Sequence, residues 1–135
     1  MTYSADQLIE WCECEWDHWK ADCSGFVKAV CRRADVQLQG QANHMLDGLE
    51  KSSIWENLGA SPDAATTRAN SDCLVIGGLK QKSHGHVVIV VKSTPRNFPV
   101  AYWGRLGAVG RKNTEISWSW NRKDLPRVHY FSLKT

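Results

Sequence analysis

A thiol and an imidazole stand out in this 135-residue sequence. Cys23 sits in Ala21-Asp22-Cys23-Ser24-Gly25-Phe26-Val27, where an amphipathic helical stretch begins, and His86 opens the most hydrophobic run, Gly85-His86-Val87-Val88-Ile89-Val90-Val91. The first N–H groups of a helix are unpaired and carry about half a positive charge, so a cysteine placed there is drawn toward thiolate, the form that attacks carbonyls. An imidazole brought alongside can hold the thiol proton and later hand it to a leaving amine, and a strand fixes the direction in which it points. These types in these places suit thiol-based acyl transfer. His84 shares a face with His86 if the strand extends back, which leaves it open as an alternative base or as a lining of the substrate groove. Asp22 reads as a helix-capping acceptor rather than an acid catalyst.

The elements that must position the pair follow from hydrophobic periodicity. Leu8, Trp11, Cys12, Trp16 and Trp19 recur at three- and four-residue steps and predict a helix with an indole-rich buried stripe. Phe26, Val27, Val30, Cys31 and Ala34 continue the pattern in a second helix, with Asp22 and Ser24 both able to cap its first turn. Residues 43–49 predict a short third helix, and Ser61-Pro62-Asp63 starts a fourth that runs to about Asn70. After Asp72 the pattern changes to strand-like runs at 73–76, 86–91, 100–103, 115–118 and 128–133, with Gly77-Gly78, residues 94–97 and residues 107–110 as connections. Helices followed by sequentially paired strands predict an α+β fold with a largely antiparallel sheet, formed as one domain over residues 1–135.

Charge is unevenly spread. From Lys80 onward 11 Lys/Arg face 2 Asp/Glu, whereas residues 1–79 hold 6 against 12. A basic surface suits nucleic acid or a carboxylate-rich substrate equally. No interleaved aromatic and basic register of an RNA-binding sheet accompanies it, so nucleic acid is not an expected partner. The start, Met1-Thr2-Tyr3-Ser4-Ala5-Asp6, has no basic stretch and apolar run of a signal peptide, and no segment approaches the ~20 apolar residues that cross a bilayer. Neither Sec export nor membrane insertion is expected.

The five cysteines, at 12, 14, 23, 31 and 73, are an odd set without CxxC spacing and do not read as a disulfide framework. Cys12, Cys14, His18 and Cys23 on continuous helix would point several ways at once, so no metal site is expected. Cys12 and Cys31 lie at apolar-face spacings and read as buried small hydrophobes. His18, His44 and His129 show no partner spacing.

Asp22-Cys23-Ser24-Gly25-Phe26 followed by Gly85-His86-Val87 resembles the NlpC/P60 group of papain-like cysteine peptidases, which cut amide bonds in bacterial peptidoglycan stems. A narrower resemblance, to the first family of type VI secretion amidase effectors, is carried by Asn43-His44-Met45-Leu46-Asp47-Gly48-Leu49-Glu50, Leu74-Val75-Ile76-Gly77-Gly78-Leu79-Lys80, Gly107-Ala108-Val109-Gly110 and Trp120-Asn121-Arg122, in that family's order over nearly the whole chain.

That resemblance implies a papain-like fold and hydrolysis of the amide between γ-D-glutamate and meso-diaminopimelate. It also implies an antibacterial toxin made in the donor cytoplasm without a signal peptide, moved by the type VI apparatus into a recipient's periplasm, and blocked by a cognate immunity protein that occludes the active site. The expected roles are Cys23 as nucleophile and His86 as base and acid, with Ser24 and His84 lining the substrate site. Related folds orient the histidine with a polar group from the next strand. Here that strand, Val100-Ala101-Tyr102-Trp103, has none, so the main-chain carbonyl of Trp103 is the expected substitute. No cofactor is implied, and the protein is expected to act as a monomer.

Two alternatives stay open. A housekeeping wall hydrolase or acyltransferase of the same fold would normally carry a signal peptide and a wall-binding module. A non-catalytic tryptophan-rich module would stack exposed indoles such as Trp103, Trp118 or Trp120 on sugar or peptide, and would be indifferent to alkylation of Cys23.

Overall fold

Three short polar side chains decide where helices begin. Ser4 Oγ accepts from the Gln7 N–H at 3.1 Å, Asp22 Oδ1 from the Gly25 N–H at 2.9 Å, and Ser61 Oγ from the Ala64 N–H at 3.1 Å, each pairing one of the donors a helix start leaves open. In the computed structural model, which describes residues 2–134, these caps open α1 (Ala5–Trp19), α2 (Cys23–Arg33) and α4 (Pro62–Asn70). The third helix, α3 (Ala42–Lys51), follows Gln41 without a side-chain cap. All four helices lie where periodicity and capping predicted them.

The strands are β1 (Trp55–Gly59), β2 (Val75–Leu79), β3 (His86–Val91), β4 (Val100–Trp103), β5 (Arg111–Glu115) and β6 (His129–Leu133). They form one six-stranded sheet in the order β1-β6-β2-β3-β4-β5, and every pairing is antiparallel. The fold is α+β, as expected. Among the described residues no helix is long and apolar enough to cross a membrane.

Side-chain alternation divides the core between the two faces of the sheet. Ile76, Val87, Ile89, Val91, Tyr102 and Phe131 pack with the apolar stripes of α1, α2 and α3. Val75, Val88, Val90, Ala101, Trp103 and Tyr130 pack on the other side with Ala65 and Ala69 of α4, together with Ile116 and Trp120. Covering both faces explains why β3 reads as an unbroken apolar run rather than an alternating one. The indoles of α1 lie at the edge of this core: Leu8 and Cys12 are buried, while Trp11, Trp16 and Trp19 pack against the cluster from its rim.

Three expectations about the strands are corrected. The chain forms a strand at β1, between α3 and α4, where none was expected; its partner is β6, so its backbone groups are satisfied by residues more than 70 positions away. The run at 115–118 is the end of β5 followed by a 3-10 turn at Ile116–Trp118, because the pairing with β4 is made by the polar stretch before it. Gly77-Gly78 lies inside β2, not in a connection. A Cβ on Gly78 would meet Leu46 Cδ2 at 2.5 Å, so the missing side chain lets α3 close on the sheet.

Candidate active site

Cys23 is the first residue of α2, and its sulfur environment is set by Asp22 in front of it and β3 behind it. With Asp22 Oδ1 taken by the Gly25 N–H and by the Ser24 hydroxyl at 3.2 Å, the first turn is held in place. The N–H groups of Cys23 and Ser24 face the sulfur instead, as does that of Val87, the residue after His86. Burial pushes the Cys23 thiol above its ordinary range; the Val87 N–H pulls it down, the Asp22 carboxylate pushes it up, and the N–H groups of Ser24 and Cys23 pull it down again. The helix start therefore acts in the expected direction, yet burial outweighs it.

His86 is 8% exposed, and burial, with the nearby charge of Arg105 adding to it, pushes its imidazole down to about 3. Both shifts favour an uncharged thiol beside an uncharged imidazole over a thiolate–imidazolium pair. Trp120, itself buried, meets the imidazole edge-on with ring centroids 5.1 Å apart. His86 Nε2 and Trp120 Nε1 are both buried without a hydrogen-bond partner. The main-chain carbonyl of Trp103, the expected orienter, accepts from the Trp16 indole N–H at 3.0 Å, and His86 Nε2 does not donate to it. Trp120 is the aromatic side chain that packs against the ring.

Cys23 and His86 open onto one cleft of about 360 Å³, lined also by Gln81, His84, Arg105, Ser119 and Trp120. Cys23 and the 83–85 segment continue into an adjoining hollow of about 410 Å³ with Ser24, Lys28, Asn43 and His44. The thiol therefore stands midway along a groove. Exposed His84 and Leu106 contribute to both halves. Ser24 is buried and turns its hydroxyl to Asp22, although the residue borders the groove. A larger hollow, about 470 Å³ between Leu46, Lys80, Arg127 and Phe131, contains neither Cys23 nor His86.

Several residues of the site had no role assigned from the sequence. Asn43 clamps the loop before His86, donating to the Gln81 carbonyl at 2.7 Å and accepting from the Gln81 N–H at 3.1 Å. Arg105 reaches the His86 half from the β4–β5 connection. That connection docks on the turn leading into Cys23: the N–H groups of Arg105 and Gly110 both donate to the Lys20 carbonyl, at 3.0 and 2.8 Å. A Cβ on Gly104 would lie 2.2 Å from the Trp19 carbonyl oxygen, so only glycine permits this approach. His44, which spacing left without a role, borders the outer half of the groove.

Among the described residues no group of three or more His, Cys, Asp or Glu side chains is disposed to hold a metal ion. Cys12 and Cys31 are buried in the core, as their spacing predicted. Of the indoles that a binding module would present, Trp103 and Trp120 are buried; Trp118 is 66% exposed and carries the Arg111 guanidinium 4.5 Å above its ring.

No protein-family model matches the chain. It is 35% identical, over 142 aligned positions covering 95% of this chain and 90% of the other, to the peptidoglycan amidase Tse1 of Pseudomonas aeruginosa.

Proposed function

The chain belongs to the type VI secretion amidase effector family, and from that premise we propose that it is an antibacterial peptidoglycan amidase of the cysteine type, with an NlpC/P60-like fold, that hydrolyses the γ-D-glutamyl to meso-diaminopimelate amide of stem peptides. The observation that carries this reading is the opening of Cys23 and His86 onto the same cleft.

In the proposed reaction the Cys23 proton passes to His86 as the sulfur attacks the stem-peptide carbonyl, so charge develops only when substrate is in place. The N–H groups of Cys23 and Ser24, which face the sulfur, are the donors for the tetrahedral oxyanion. His86 then gives its proton to the departing diaminopimelate amine, leaving an acyl-enzyme, and activates the water that releases the acid. Thiol, imidazole and main-chain donors supply every step, so the reading calls on no cofactor.

Delivery by the type VI apparatus into a recipient's periplasm, action as a monomer, and a cognate immunity protein that occludes the groove complete the proposal. The buried positions of Trp103 and Trp120 weigh against a sugar-stacking module. Digestion of purified Gram-negative sacculi by the wild type and by Cys23→Ala, with fragments identified by mass, tests the assignment. The wild type should release fragments ending in γ-D-glutamate, and the variant none. Equal digestion by both would remove Cys23 as nucleophile, and digestion by neither would remove the enzyme.

A further inference from the structure

Arg105 is the only Lys or Arg side chain among the described residues that line the His86 half of the groove. One arm of its guanidinium is tethered: Nη2 donates to the Ser119 carbonyl at 2.8 Å and to Ser119 Oγ at 3.1 Å. Among the described residues no carboxylate bridges it, and Nη1 and Nε have no acceptor. Asp124, the carboxylate in the same half, turns to Arg127 at 3.2 Å and to Gln81 at 3.3 Å. The backbone of Arg105 is pinned as well, through its N–H to the Lys20 carbonyl. A half-buried cation that lines the cleft with its position already fixed is a preorganised anion site, and a planar guanidinium suits a carboxylate.

We propose that Arg105 is the substrate-binding residue that recognises a free carboxylate on the acyl side of the scissile amide. This deepens the preceding reading and rests on it. Glutamate linked through its γ-carbonyl keeps its α-carboxylate free on the residue that Cys23 would acylate. Arg105 and Cys23 line one cleft, so a single bound residue can present its carbonyl to one and its carboxylate to the other. Selectivity then comes from the penalty of leaving Arg105 unpaired when the carboxylate is replaced by a neutral amide.

Calorimetric titration of the Cys23→Ala protein tests this without turnover. The probes are synthetic L-alanyl-γ-D-glutamyl-meso-diaminopimelyl-D-alanine and the same peptide with the glutamate α-carboxylate converted to carboxamide. The acid should bind about 10- to 100-fold tighter than the amide. Adding Arg105→Gln should erase that ratio, chiefly by weakening the acid, and Arg105→Lys should restore part of it. Equal affinity of Cys23→Ala for the two peptides, binding of neither, or a ratio that survives Arg105→Gln would overturn the inference, as would an equal loss for both peptides. Wild-type digestion of the acid peptide is read separately: if it fails while the affinity ratio holds, the amidase reading falls and the role of Arg105 stands.

Discussion

The two walls of the groove differ in how their polar groups are used. On the helical side the polar groups that frame the nucleophile are engaged: Asp22 caps α2 and receives Ser24, and Asn43 holds Gln81 from both directions. On the strand side His86 Nε2 and Trp120 Nε1 are buried without partners, and Arg105 keeps a free edge. Satisfied groups rigidify, whereas unsatisfied buried groups hold capacity for a ligand and lower the stability of the empty protein. The helical wall is built to hold a sulfur still. The opposite wall is built to meet something.

The contrast can be broken from either side. The largest effect should come from Cys23→Ala, which removes the nucleophile from the helical wall: stem-peptide hydrolysis should fall by about 10³-fold or more with the circular dichroism spectrum unchanged. On the other wall, Trp120→Ala should cost about 3–5 kcal/mol in urea unfolding, the range for emptying a buried indole, and lower kcat by releasing the imidazole it packs against. Trp120→Phe should recover most of the stability.

A smaller effect follows from the buried imidazole. His86 is held near 3 when folded and titrates near 6.5 when unfolded, so between those values the unfolded chain binds a proton that the folded chain refuses. Stability is therefore unaffected above about pH 7 and is lost as pH falls from about 6.5 toward 3, by an amount on the order of a few kcal/mol. His86→Gln should flatten that loss when urea midpoints at pH 7 and pH 4 are compared; an unchanged acid sensitivity would assign it to other groups. The smallest change is expected from Asn43→Ala, about 1–2 kcal/mol of stability, with faster amide exchange at residues 81–85 and a raised KM.

How much of this could be read from the sequence depends on whether the determinant is local. The start of α2 is local, because Asp22 caps a turn three residues away and the apolar stripe from Phe26 to Cys31 follows directly. His86 was legible for the same reason: it heads a run whose unbroken hydrophobicity reports burial on both faces. β1 was not, since Trp55-Glu56-Asn57-Leu58-Gly59 becomes a strand only when β6 arrives. Arg105, Asn43 and the place of Trp120 over the imidazole were equally hidden, because each acts on a residue that tertiary packing alone brings near. The helix-start effect on Cys23 was read with the right sign, but burial, which reversed the outcome, is a property of the assembled fold.

The double acceptance at the Lys20 carbonyl bears on how such a protein can diversify. Both bonds run from main chain to main chain, so they place little demand on the side chains at 106, 108 and 109, while Gly104 and Gly110 leave room for the approach and Gly107 takes a φ of 74°. Leu106 and Val109 project from the resulting strut with more than half their surface in solvent. Substitutions there can retune what the rim touches, whether wall polymer or inhibitor, while the gauge between nucleophile and guanidinium stays constant.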